Sequence, residues 1–164
     1  MSKKKLLAPD IDRTRIVVQS SPIHGRGVFV AKAIKKGAAI IEYKGERISW
    51  KLAEKRHPHD PSDPNHTFYF SLEDGRCIDA KYGGNAARWI NHSCKPSCET
   101  REESFSGEPR VFIYAKRDLK VGEELFYDYS LDVEGPITKQ MKKDYSCRCG
   151  AKKCRGTMLS LDTK

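Results

Sequence analysis

Nowhere in this chain does an apolar run approach the roughly 20 residues that a membrane-spanning helix needs, so a protein crossing a bilayer by helices is excluded. The opening MSKKKLLAPD has the basic residues of a secretory signal but only a three-residue apolar stretch behind them. Cleavable secretion is therefore not expected, and an intracellular location is. Internal repeats and low-complexity tracts are missing, and sustained helical periodicity is scarce. Acidic residues are in deficit: 22 Asp and Glu face 31 Lys and Arg, giving a net charge of +9 concentrated at residues 3–5, 139–143 and 152–155. That surplus permits contact with nucleic acid or an acidic surface, yet no recognition helix or RNA-binding signature accompanies it. A solvated basic surface accounts for it equally well.

A length of 164 residues suffices for one compact domain with an appendage, taken as a monomer. The six cysteines are expected in a reducing compartment, where clustered thiols point to metal more than to disulfides. A pair of disulfides is the weaker alternative, because a CxC spacing strains a bridge. Three of the thiols form Cys147-Arg148-Cys149-Gly150-Ala151-Lys152-Lys153-Cys154. Zinc held by thiolates is tetrahedral, so this trio asks for a fourth ligand from elsewhere. Cys94, in Arg88-Trp89-Ile90-Asn91-His92-Ser93-Cys94, is the best donor. Zinc on Cys94, Cys147, Cys149 and Cys154 would tie the tail to the polar Asn91-His92 pair. Cys77 and Cys98 have no place in that scheme and read as buried small hydrophobes.

Short β-rich segments dominate. Residues 15–18 and 28–31 flank the His24-Gly25-Arg26-Gly27 turn, and 38–48 reads as strand, Lys44-Gly45 turn, strand. Residues 50–57 suit one or two helical turns, and HPHDPSDPNH behind them is a loop. Residues 67–72 and 76–78 flank the hairpin signal Glu73-Asp74-Gly75, 86–90 suits a brief helix, and 109–116 is a strand. Residues 121–124 turn into 125–127, and the polar 132–145 behaves as a linker into the cysteines. The pattern says mainly β, without saying which β fold.

Four motifs, HGRGVFVAK at 24–32, IEYKGE at 41–46, ARWINHSCKPSC at 87–98 and GEELFYDY at 122–129, stand in order ahead of the CRCGAKKCRG tail. Over roughly residues 15–158 the chain resembles the SET-domain protein lysine methyltransferases with their zinc-binding post-SET segment. The resemblance implies a β-clip fold of short strands, a carboxyl-terminal pseudoknot and a zinc-stapled tail. It divides the chain into a basic arm (1–14), SET domain (15–131), linker (132–143), post-SET segment (144–158) and a tail (159–164). It also implies S-adenosylmethionine as methyl donor, a protein substrate such as a histone presenting a lysine in an extended segment, and a place in the cytoplasm or on chromatin.

The chemistry suits such residues. A lysine amine titrates near 10.4, so only about 0.1% or less is nucleophilic at neutral pH. A narrow aromatic channel disfavours the cation and frees the amine. Transfer then needs nitrogen, methyl and sulfur held in line. By resemblance, His24, Gly25, Arg26 and Gly27 lie against the methionine part of the donor, and Asn91 and His92 anchor its amino group and adenine. Phe68, Arg88 and Arg148 complete the donor site, Phe68 departing from the tyrosine many relatives carry there. Tyr43, Tyr69 and Phe70 line the lysine channel. Tyr129 is the channel tyrosine beside the reacting atoms, and Tyr127 the switch position that limits further methylation, which favours a monomethyl product. Residues 127 and 129 share a face by strand alternation. The rival expectation is a non-catalytic, zinc-containing module on the same fold that binds nucleic acid or chromatin.

Overall fold

The computed structural model describes residues 7–57, 68–133 and 135–161. The lysines at 3–5 and all but the first residue of the HPHDPSDPNH loop lie outside them. Along the described chain run β1 (Ile16–Ser20), β2 (Arg26–Val30), β3 (Ala39–Glu42), β4 (Glu46–Ser49), α1 (Trp50–Arg56), β5 (Tyr69–Ser71) and β6 (Arg76–Asp79). There follow β7 (Asn91–His92), β8 (Cys98–Phe105), β9 (Glu108–Ala115), β10 (Phe126–Tyr127) and α2 (Lys139–Asp144). The mainly β expectation holds. The strands form small separate sheets: β1 with β2, β3–β9–β8, β4–β6–β5, and β7 with β10. Among these strand pairs of the described residues the β7–β10 pair alone is parallel, and it lays the Phe126-Tyr127 segment along the Asn91-His92 pair.

Local chemistry explains the elements. β1 pairs with β2 through its β-branched residues, and the connection closes where the Ser21 amide donates to the Gly25 carbonyl at 2.8 Å. Gly25 has φ +45°, a conformation that favours glycine. β8 and β9 pair along their whole length and turn at Ser106-Gly107, both at positive φ as a two-residue hairpin loop demands. Sequence reading found β9 and missed β8. CETREESF has no apolar alternation; only its ends, Cys98 and Phe105, are buried, and backbone pairing to β9 carries the rest. α1 starts on a Ser49 cap whose hydroxyl accepts from the Leu52 amide at 3.2 Å. At its other end Arg56 reaches Glu46 at 2.8 Å and the buried Asp79 at 3.1 Å.

Three boundaries differ from expectation. α2, capped by Thr138, occupies the end of the expected linker; none of its residues is buried, so no apolar stripe announced it. Ala8 and Ile11 of the expected arm pack against Phe105, Phe112 and Tyr114. Leu159, assigned to the tail, is fully buried and bridges in parallel to Leu131.

The main core gathers Val28, Val30, Ile34, Ile40, Ile113, Leu119 and Leu125, with Tyr43, Ile90 and Tyr127 on its functional side. Cys77 and Cys98 are both buried, as small hydrophobes should be. Among the described residues, no helix is long and apolar enough to cross a membrane.

Candidate active site

The parallel pairing of β7 with β10 sets Asn91 opposite Phe126 and His92 opposite Tyr127, which brings the middle of the chain onto the YDY segment. From there the Asn91 amide nitrogen donates to the His24 carbonyl at 3.2 Å, the Arg26 carbonyl at 2.9 Å and Glu124 Oε1 at 2.9 Å. The glycine turn is thus held by one side chain. A Cβ at Gly27 would lie 2.2 Å from Glu124 Oε1, so a side chain there would push that carboxylate off the Asn91 amide. The Asn91 side-chain oxygen has no hydrogen bond among the described residues and can accept one.

His92 is held through both of its ring nitrogens. Its Nδ1 accepts the Tyr129 amide at 3.0 Å, and its Nε2 lies 3.5 Å from Cys94 Sγ. Burial lowers its pKa to about 4, so the ring is neutral and carries its proton on Nε2, facing the sulfur. The side chain is committed to positioning Tyr129, and only its backbone remains to meet a ligand.

An aromatic chamber stands beside it. Ring centroids are 5.1 Å apart for Tyr43 and Phe70, 6.4 Å for Phe70 and Tyr127, and 4.8 Å for Tyr127 and Tyr129. Tyr43 donates its hydroxyl to the Phe68 carbonyl at 3.0 Å, and Tyr129 donates to the Ile90 carbonyl. The hydroxyl of Tyr127, on a residue buried as a whole, has no protein partner among the described residues. Burial pushes all three phenols well above their ordinary pKa, so they stay protonated.

Tyr69 does not join the chamber. Neighbours on a strand point to opposite faces, so with Phe70 turned inward Tyr69 faces away. It packs beside Ile48, Ala53 and Cys77 and donates its hydroxyl to the Ala53 carbonyl at 3.1 Å. Phe68 meets Trp89 edge-on at 5.3 Å, and Arg88 and Arg26 lie over the same indole at 4.9 and 5.6 Å. Two guanidinium groups on one indole next to the glycine turn make a cationic rim suited to a carboxylate.

The four thiols converge as expected. The sulfurs of Cys94, Cys147, Cys149 and Cys154 lie within 4.8 Å of one another, and Cys94 is 3.7 Å from Cys147 and 3.8 Å from Cys154. Zinc–sulfur bonds of about 2.3 Å put the sulfurs of a regular tetrahedron about 3.8 Å apart, so the donor set fits zinc. Backbone amides of Cys149, Arg155 and Gly156 point at these sulfurs from 3.4, 3.4 and 3.3 Å, which favours thiolates. Arg148 is exposed between two of the cysteines and makes no hydrogen bond among the described residues.

Sequence reading missed Glu124, Trp89, Asp128 and Arg155. The Arg155 guanidinium forks onto Asp128 at 2.8 and 3.0 Å, next to the channel tyrosines. Both residues lie inside quoted motifs, so their positions were visible but their pairing across the fold was not.

A tyrosine-lined chamber, a glycine turn held by Asn91 and a cluster of four cysteines are brought together on one mainly β domain. The sequence matches the SET domain family over residues 25–130, and the chain belongs to that family. It is 38% identical over 146 residues to the Drosophila melanogaster histone-lysine N-methyltransferase trr, covering 89% of this chain and 6% of that protein. It is 40% identical over 138 residues to human histone-lysine N-methyltransferase 2B (84% and 5%), and 41% over 133 residues to Arabidopsis thaliana histone-lysine N-methyltransferase ASHH1 (80% and 26%). The chain thus spans only a small part of each of these relatives.

Proposed function

We propose that this domain transfers methyl groups from S-adenosylmethionine to the ε-amine of a lysine in a protein, a histone or another basic protein, and that it favours monomethylation. The observation that carries the reading is the chamber of Tyr43, Phe70, Tyr127 and Tyr129 beside the turn that Asn91 holds. An apolar slot strips water from an entering ammonium and makes deprotonation easier. The bound sulfonium donor supplies the electrophilic methyl. The cationic rim of Arg26 and Arg88 would take the donor's carboxylate and the Asn91 oxygen its ammonium. Phe68 and Trp89 offer apolar surface, and Tyr43 and Phe70 hold the amine's stem straight. The four cysteines would hold one zinc that closes the tail over the site. Names of the relatives support a histone substrate and a chromatin location. The exposed lysines of α2 and the post-SET segment are available for nucleic acid.

The deciding experiment is methyl transfer from labelled donor to core histones and whole-cell extract, read by mass spectrometry, together with titration of the donor itself. Binding without transfer favours a non-catalytic chromatin module, and failure to bind the donor overturns the reading.

Product degree should depend on Tyr127. Its unpartnered hydroxyl can hold a water in the slot, which obstructs the rotation a monomethylated amine needs before a second transfer. Tyr127→Phe is expected to move products toward dimethyl and trimethyl lysine with the first transfer largely intact. Efficient trimethylation by the unmodified protein, unchanged by the substitution, would remove Tyr127 from this role.

A further inference from the structure

We propose that Arg155 is a positioning residue: through Asp128 it makes the placement of Tyr127 and Tyr129 depend on the cysteine cluster. The inference rests on zinc at the four thiols. Cys94 Sγ accepts the Arg155 amide at 3.4 Å, so the backbone of Arg155 is fixed by a sulfur of the cluster. The Arg155 side chain then forks onto Asp128, two parallel bonds at 2.8 and 3.0 Å in a pair that is only 24% and 31% exposed. A fork of this kind fixes orientation as well as distance.

Asp128 is the residue between the two channel tyrosines. Its Oδ1 also accepts the Ser130 amide at 2.9 Å, and Ser130 stands at φ +42°, a conformation a serine keeps only when its surroundings impose it. Asp128 therefore governs the path of the chain on leaving Tyr129. A second connection runs in parallel: Cys94 Sγ to His92 Nε2 at 3.5 Å, then His92 Nδ1 to the Tyr129 amide at 3.0 Å. Both connections start at one sulfur and end on the backbone at residues 128–130.

A mere staple between tail and domain would hold the tail and leave the tyrosines indifferent. Coupling must instead act in both directions, because linkage between two sites is reciprocal. Loosening Asp128 should loosen the metal, and loosening the metal should move the rings.

The test uses the zinc-loaded full chain carrying Arg155→Met, Arg155→Lys, Asp128→Asn, or Asp128→Asn with Arg155→Met. Three quantities are read: zinc release to a colorimetric chelator, NMR signals of ring-labelled tyrosine, and single-turnover methylation of core histones. Each protein should still hold one zinc. Arg155→Met should release it roughly ten-fold faster, with the double variant no faster than the single ones, as expected of partners in one interaction. The Tyr127 and Tyr129 signals should shift while that of Tyr43 stays, and single turnover should fall at saturating histone with the half-saturating concentration unchanged. Arg155→Lys should recover part of each effect, since it keeps the charge and loses the fork. Unmoved Tyr127 and Tyr129 signals, or multiplying effects in the double variant, would overturn the proposal. If the unmodified chain transfers no methyl at all, the functional reading fails, while zinc release and the tyrosine signals still decide the coupling.

Discussion

Tyr129→Phe is expected to slow methyl transfer roughly 30- to 1000-fold, the equivalent of about 2 to 4 kcal/mol of transition-state stabilisation. The hydroxyl hydrogen of Tyr129 is already given to the Ile90 carbonyl, so what the oxygen presents to the chamber is lone pairs. Lone pairs suit a methyl that carries positive charge and an amine with hydrogens to donate. Burial keeps the phenol protonated, which leaves the oxygen neutral and the geometry constant across the working pH range. Its ring is held from the side by His92, with centroids 5.3 Å apart. Phenylalanine keeps that packing and deletes only the oxygen. The Ile90 carbonyl loses its partner, at about 1 to 3 kcal/mol of stability if water cannot replace it. Donor affinity should change much less than the rate, because the donor's carboxylate and ammonium are assigned to Arg26, Arg88 and Asn91 and do not depend on this hydroxyl. Single-turnover rates and donor titration on the same preparation separate the two effects. Undiminished turnover would mean that the reacting atoms lie elsewhere.

Much of this site is legible in the sequence because its parts are contiguous. The HGRG turn, the Asn91-His92 pair, the YDY strand and the CxCx4C array each carry their chemistry in adjacent residues, and the fold brings them together. What escaped depends on partners distant in sequence. Arg155 is one more surface cation until Asp128 is seen opposite it, and Glu124 one more turn carboxylate until Asn91 and Gly27 are found against it. β8 escaped for a different reason, since a polar edge strand is held by backbone pairing that leaves no hydrophobic period to read. Tyr69 was a misjudged face: in a run of three aromatics composition cannot choose the register, and β5 pairs so that Phe70 turns inward.

Removing zinc, by chelation or by Cys94→Ser, should free the segment from about 144 to 156 without unfolding the domain. The core cluster draws no residue from that segment, so its cooperativity does not depend on the metal. Four thiolates binding one zinc are worth several kcal/mol of local order. Against that loss the segment keeps the half-buried Arg155–Asp128 pair, the Ser146–Thr157 bridge and a few backbone bonds at Tyr145, Cys147 and Cys154. Beyond it Leu159 is fully buried and Thr157 almost so, and the Ser160 amide donates to the Leu131 carbonyl at 2.8 Å. Order should therefore return at the last described residues. Amide hydrogen exchange of chelated protein should show fast exchange across 144–156 with protection retained at Leu131 and Leu159. Metal analysis should find one zinc per chain in the untreated protein, and transfer should fall with the metal because Cys94 is the sulfur that both His92 and Arg155 approach. A metal-free chain that is fully active, with 144–156 still protected, would show that the cysteines are not a metal site.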